Sequence, residues 1–321
     1  MTSLRSALKS ATALAAFSLS FPLASWAEEP LPVVATFSIL GDMVERIGGE
    51  HIALTTLVGP DGDAHVYQPT PKVARSVAEA DVLFLNGLEF EGWLERLAEA
   101  ASFGGAMVVA TKGVVPIAFD DHDDHDDHDE HDEHDDHDDH AGHDHGAFDP
   151  HAWQSLENAV IYANNIAAGL AQADPENAGD YYANRAAFIT EVETLRADIG
   201  AMMKSLPADK RTVVTPHDAF GYFAATYDLT FVAPQGMSTD SEVSAADVAA
   251  LITQIREESI SAVFIESITD NRMMQQIANE TGATIGGTLY SDALSAQSGP
   301  ASTYLDMMRH NATTLFDALG N

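Results

Sequence analysis

Between Asp174 and Pro207 the sequence holds a helical pattern of unusual length. Asp174-Pro175-Glu176 reads as its start, Tyr181, Phe188, Val192, Leu195 and Ile199 recur at helical spacing, and Leu206-Pro207 closes it. About 30 residues at 1.5 Å each span roughly 45 Å, the length of a whole domain. That is long for one lobe and fits a rigid backbone joining two. On its N-terminal side, Leu31 to Phe37 reads as a buried strand, and Ser38 opens a helix through Ile39, Met43, Val44 and Ile47. His51 to Val58 reads as a strand and Lys72 to Ala80 as a helix behind Thr70 and Pro71. Asp81 to Asn86 is a strand, a helix covers Trp93, Leu94 and Leu97, and Met107 to Ala110 is a fourth strand. A helix from Asp149-Pro150 through Val160, Ile166 and Leu170 follows.

Past the long run the pattern restarts. Strands are expected at Thr212 to Thr215, Thr230 to Val232, Ala262 to Glu266 and Thr284 to Thr288. Helices are expected over His217 to Tyr227, Ser244 to Glu257, Asn271 to Thr281 and Thr303 to Leu319. Such alternation predicts an α/β protein of two (β/α) lobes with parallel sheets, joined by the long helix. The expected division is a signal peptide at 1–27, an N-terminal lobe at 28–173, the linking helix at 174–206 and a C-terminal lobe at 207–321.

The signal peptide rests on Arg5 and Lys9, the apolar stretch Ala11 to Leu23, and the small-x-small site Ser25-Trp26-Ala27. The sequence contains no cysteine, which removes disulfides and a lipid anchor built on cysteine from the expectation. The expected location is the bacterial periplasm, with the protein soluble and monomeric. Fifty acidic against 15 basic side chains give a formal charge of −35, which argues against nucleic acid and anionic membranes as partners and favours cations.

Much of that charge lies in one segment, 120–146, which interrupts the N-terminal lobe. It places His122, His125, His128, His131, His134, His137 and His140 at every third position among carboxylates, then His143 and His145. Nothing in it is apolar enough to enter a core, so a solvated, disordered loop is expected. Acid alone would make a solubilising spacer and would need no histidine. Imidazole with carboxylate suits divalent first-row metals, so the loop reads as an auxiliary, low-affinity and poorly selective collector. A protein that handles one metal specifically needs a better-organised site elsewhere.

Five of the 14 histidines lie outside this loop: His51, His65, His151, His217 and His310. Asp149-Pro150-His151 and Thr215-Pro216-His217 each place histidine second in an expected helix, with Asp218 completing a capping box behind Thr215. A ring at that place lies near the positive end of the helix dipole, which disfavours imidazolium and keeps it in its metal-binding form. Taken alone, His65 reads equally well as a cap or surface residue, while for His151 and His217 that reading is the weaker of the two. His51 and His310 read as structural, and Asp292 alone as a turn residue.

The runs Gly59 to Leu94, Asp149-Pro150-His151-Ala152-Trp153, Thr215 to Phe223, Phe264-Ile265-Glu266-Ser267 and Gly287 to Asp292 together resemble the metal-specific solute-binding proteins of ABC importers. The branch most similar is the zinc-binding one, of the ZnuA and AztC kind. The resemblance implies two lobes, a long linking helix and a metal held in the interlobe cleft. It implies His65 and His151 as ligands from the first lobe and His217 and Asp292 from the second. Manganese- and iron-binding relatives typically carry a carboxylate where His217 stands, and three imidazoles with one carboxylate favour zinc. Ala64 departs from the proline that many relatives have before the first histidine. Asp149 and Asp218 are candidates for capping or for supporting the ligands, capping being preferred.

The function so implied is capture of Zn2+ and its delivery to a membrane permease, with a periplasmic metallochaperone as a further candidate partner. A manganese importer component and a zinc buffer or chaperone without a permease are the alternatives. A zinc hydrolase is the rival from another class. No HExxH occurs, and no general base beside the three histidines is evident, so no enzyme activity is expected.

Overall fold

The computed structural model describes residues 29–118, 147–241 and 243–320. The expected signal peptide and the histidine-rich segment, with all nine of its histidines, lie outside the described residues. Strands β1 (Leu31–Phe37), β2 (Ile52–Val58), β3 (Val82–Leu85) and β4 (Ala106–Val109) form a parallel sheet in the order β2-β1-β3-β4. Strands β5 (Thr212–Val214), β6 (Thr230–Val232), β7 (Ala262–Glu266) and β8 (Thr284–Leu289) form a second parallel sheet in the corresponding order β6-β5-β7-β8. The central position of β1 explains its near-unbroken apolar run, since helices cover both faces of a parallel sheet.

Helices α1 (Ser38–Gly48), α2 (Pro71–Ala78), α3 (Leu94–Ala101) and α4 (Leu156–Ala173) belong to the first half. Helix α1 follows β1 without a loop and lies so close to β2 that a Cβ on Gly41 would stand 2.5 Å from Thr56 Oγ1. Helix α2 starts as its sequence predicts: Pro71 is its first residue and Thr70 Oγ1 accepts from Val73 N at 3.4 Å. The second half carries α6 (Gly221–Tyr227), α7 (Ala245–Glu257), α8 (Arg272–Thr281) and α9 (Tyr304–Leu319).

Between them runs α5 (Ala178–Lys204), 27 residues or about 40 Å long. It starts later than the Asp-Pro-Glu signal suggests, because Asp174 uses its carboxylate to hold Asn177 and Tyr181 in a turn instead of capping the helix directly. The helix packs on α1 and α4 from the first half and on α6 and α9 from the second. One apolar core continues from Val33 and Phe84 past Phe188 and Leu195 to Phe264 and Leu315. Parting the two halves widely would expose that core to water, so the joint is stiff.

Two helix starts differ from expectation. Asp149-Pro150 does not open α4; Asp149 Oδ1 accepts from His151 N at 2.9 Å in a local turn, and Ser155 caps the helix six residues on. Thr215-Pro216 does not open α6; Thr215 Oγ1 donates to the His217 carbonyl at 3.0 Å, and His217 pairs with Gln235 in a parallel bridge, extending the sheet. Neither histidine sits at the start of an α-helix, and His151 precedes only the single 3-10 turn Ala152–Gln154, so the dipole argument for a neutral ring loses its basis. Asp218 makes no capping box there: its amide bonds Gly236 O at 3.3 Å.

Candidate metal centre

Four side chains meet between the sheets. His65 lies in the connection from β2 to α2, His151 between Phe148 and α4, His217 beyond β5, and Asp292 just beyond β8. One ligand atom from each lies within 4.8 Å of the others. Asp292 Oδ2 stands 3.2 Å from His65 Nε2 and 3.2 Å from His217 Nε2, and Oδ1 stands 3.6 Å from His151 Nε2. A tetrahedral ion with bonds of about 2.0–2.1 Å needs ligand atoms roughly 3.3 Å apart. His151, His217 and Asp292 are fully buried, and His65 nearly so. All three Nε2 atoms and both Asp292 oxygens are buried without a hydrogen-bond partner, a costly arrangement unless a cation joins them.

Two of the three imidazoles are oriented from behind. Asp149 Oδ1 lies 2.8 Å from His151 Nδ1, and Glu266 Oε2 lies 2.6 Å from His217 Nδ1. A carboxylate at Nδ1 places the ring proton there and leaves the Nε2 lone pair for a metal. Asp149 therefore holds the His151 ring and caps no helix. Gly221, at the start of α6, makes room for it, since a Cβ there would overlap Asp149 Oδ2. Asn86 Nδ2 donates to the Pro150 carbonyl at 2.8 Å, and Tyr162 donates its hydroxyl to Asn86 Oδ1. Behind them, Gly87 takes φ 89°, and Glu91 gathers Thr36 and the Asn86 and Gly87 amides. Trp93 Nε1 donates to Ala64 O at 2.7 Å, fixing the residue before His65.

The charges of His151, His217, Asp292 and their carboxylate neighbours sustain one another. Burial by itself pushes the His217 imidazole down, but Glu266 and Asp292 outweigh it and hold it well above the ordinary histidine range. Burial likewise opposes the charge on His151, which Asp292 and Asp149 nonetheless raise. Burial would raise Asp292, yet His151 and His217 hold it well below the usual carboxylate range.

His51 and His310 have structural partners: His51 Nε2 lies 2.9 Å from Asp180 Oδ2, and His310 Nε2 lies 3.0 Å from Thr288 O. Glu266, quoted within a motif but given no role, is the residue that sequence reasoning missed. Its signal is an acid closing an otherwise apolar strand, Ala262-Val263-Phe264-Ile265-Glu266, where its side chain is fully buried. The segment 119–146 leaves and rejoins the described structure at one place, where Ala118 pairs with Phe148 and Ile117 O accepts from Asp149 N at 2.9 Å.

Two parallel-sheet lobes around a buried pocket of three imidazoles and a carboxylate define a metal-binding protein with its site between the lobes. The family model of the periplasmic zinc-uptake complex component A, ZnuA, matches residues 33–318, and the chain belongs to that family. It is 30% identical over 292 residues to the manganese-binding lipoprotein MntA of Halalkalibacterium halodurans, covering 91% of this chain and 89% of that one. It is 31% identical over 288 residues to the iron-binding protein YfeA of Yersinia pestis, covering 90% and 86%. Among solved structures, the periplasmic zinc-binding protein TroA of Treponema pallidum superposes with a TM-score of 0.80 at 26% identity, covering 92% of this chain and all (100%) of TroA. A manganese-bound periplasmic metal-binding protein of Candidatus Liberibacter asiaticus gives 0.74 at 29% identity, covering 89% and 98%. These relatives differ in the metal they are named for. The family consists of transport components, which sets the hydrolase reading aside. Among the described residues no helix is long and apolar enough to cross a membrane.

Proposed function

We propose that this protein captures Zn2+ through His65, His151, His217 and Asp292 and delivers it to the permease of an ABC importer. The observation that carries the reading is the convergence of four donors, buried and unpartnered, from both halves of the chain. Three imidazole nitrogens and one carboxylate form a borderline-soft, four-coordinate set that suits zinc better than manganese, which prefers oxygen. Four protein ligands also close the shell, as a holding site requires.

Manganese is the second reading. It is favoured by the relative named for that metal and by the orientation of Asp292, both of whose oxygens face the imidazoles and so allow a fifth bond. Metal analysis of the purified protein beside His217→Ala separates the two. Zinc in the wild-type protein, with the tight site lost in the variant, supports the proposal; manganese retained at one equivalent in preference to zinc overturns it.

The segment 120–146 acts in this proposal as a low-affinity collector. Its ends are rooted next to Asp149, the residue behind His151, so ions it gathers are held at high local concentration beside the cleft. Deleting Asp121 to His145 lowers the number of zinc ions bound and leaves one tight site; loss of tight binding would refute this division of labour. Some relatives are named as lipoproteins, whereas this sequence has no cysteine for a thioether-linked lipid. Free movement in the periplasm is part of the proposal, and cell fractionation tests it.

A further inference from the structure

Three of the four ligands are locked. His151 lies just before Trp153 and Gln154, whose side chains both donate to Ser291 O, at 2.8 and 2.7 Å, and Ser291 adjoins Asp292. Ser291 Oγ in turn donates to Glu266 Oε2 at 2.7 Å, and Glu266 holds His217. Every member of this network is buried. His151, Asp292 and His217 therefore cannot part without breaking bonds that water cannot replace.

His65 is tied differently. It alone of the four retains some exposure, so the site approaches solvent on its side. Its loop meets the second lobe through the Asp61 amide, which donates to Leu294 O at 2.8 Å, and through the half-buried Asp63. One oxygen of Asp63 accepts from His65 N at 2.9 Å; the other accepts from Thr239 Oγ1, across the cleft, at 2.6 Å. Thr239 is itself fixed, because Gln235 Nε2 donates to Thr239 O at 2.9 Å and to Ser241 O at 2.6 Å. Gln235 pairs through its backbone with His217. A single carboxylate thus connects the one accessible ligand to a segment anchored on the opposite ligand.

We propose that Thr239 and Asp63 form a latch that holds His65 on the ion, and that the ion enters and leaves past His65. Thr239 is a positioning residue, acting on the metal through Asp63 and the His65 backbone. The inference rests on the reading of His65 as a ligand. It makes the rate of release, rather than the architecture of the other three ligands, the quantity that the second lobe controls.

The test loads the full chain with one equivalent of zinc and follows its transfer to excess chelator by stopped flow. Thr239→Val keeps the side-chain shape and removes the hydroxyl; release is expected to quicken about ten- to a hundredfold, the range for a hydrogen bond to a charged group. Thr239→Ser keeps the hydroxyl and is expected to release at close to the wild-type rate, an outcome that a purely structural role for the threonine would not give. Release from Thr239→Val at the wild-type rate, or from Thr239→Ser as fast as from Thr239→Val, overturns the latch and leaves the transport proposal intact. A wild-type chain that loses its zinc on gel filtration overturns both.

Discussion

The indole nitrogen of Trp153 donates to the backbone carbonyl of Ser291 at 2.8 Å, joining the residue two beyond one ligand to the residue just before another. Gln154 reinforces the same acceptor, and Tyr304 donates its hydroxyl to Trp153 O at 2.7 Å. The halves are thus joined at the floor of the site by bonds inside the shared core. Trp153→Phe removes one of these donors and leaves a void among Phe37, Phe90 and His151. The metal-free variant is expected to lose about 2–3 kcal/mol in urea unfolding, from cavity and lost hydrogen bond together. A loss under roughly 0.5 kcal/mol, the level of an ordinary surface change, would mean that the floor does not hold the lobes.

Glu266 offers a more direct probe of the ligands. Its carboxylate accepts from His217 N at 3.2 Å and faces Nδ1 of the same residue, so it fixes the ring and increases the donor strength of Nε2. Glu266→Gln keeps the size and removes the charge. Zinc affinity is expected to fall about 10–100-fold, as for other groups that orient a ligating histidine. Competition with a chromophoric chelator measures it, and an unchanged constant would show that the carboxylate is only packing.

Glu266 also marks the limit of what could be read from the chain. Strands β1, β3 and β7 were legible as short apolar runs, and α5 as a long helical period, because burial imposes those patterns on the sequence itself. The four candidate ligands came from motif resemblance, since no local rule marks Asp292 off from any other loop aspartate. The helix starts at Asp149 and Thr215 misled for a physical reason. An Asp-Pro or Thr-Pro pair supplies a side-chain oxygen to whichever nearby amide or carbonyl is free, and a local turn uses it as readily as a helix does. Here the turn prevails because it aims a ring: the Asp149 oxygen that receives the His151 amide also reaches Nδ1. The network through Ser291 was not legible, because its central acceptor is a backbone carbonyl.

Protons and metal compete for the site. His151 and His217 are raised by the carboxylates around them, so the metal-free protein keeps protons there above the ordinary histidine range. Those raised imidazoles stabilise the metal-free fold below their unfolded value, and the contribution is lost as pH rises through their folded values; the lowered Asp292 contributes above its unfolded value and fails only in acid. An incoming ion must displace the imidazole protons. Zinc affinity is therefore expected to go on rising with pH beyond the unperturbed histidine value of about 6.5. Chelator competition from roughly pH 6 to 9 follows this, and an affinity already flat from about pH 6.5 upward would contradict it.

Asp42 gives the fold a separate pH response, away from the metal. Its Oδ2 accepts from Tyr304 N at 2.9 Å, joining α1 to the first residue of α9. Burial pushes its carboxyl from 3.8 up to about 6, against the pull of the Tyr304 amide and Arg46, with Glu45 and Asp306 adding to the rise. Between those values the folded protein binds the extra proton, so stability falls as pH rises through the window, and the full penalty applies above it. The shift corresponds to about 3 kcal/mol. Asp42→Asn keeps an acceptor for the Tyr304 amide and carries no charge. It is expected to be the more stable protein above about pH 7, by up to that amount, with the gap closing near about pH 4. Urea unfolding of both proteins across that range reads the difference directly; a gap that stays constant with pH would assign it to packing, because only an ionising group produces one that closes in acid.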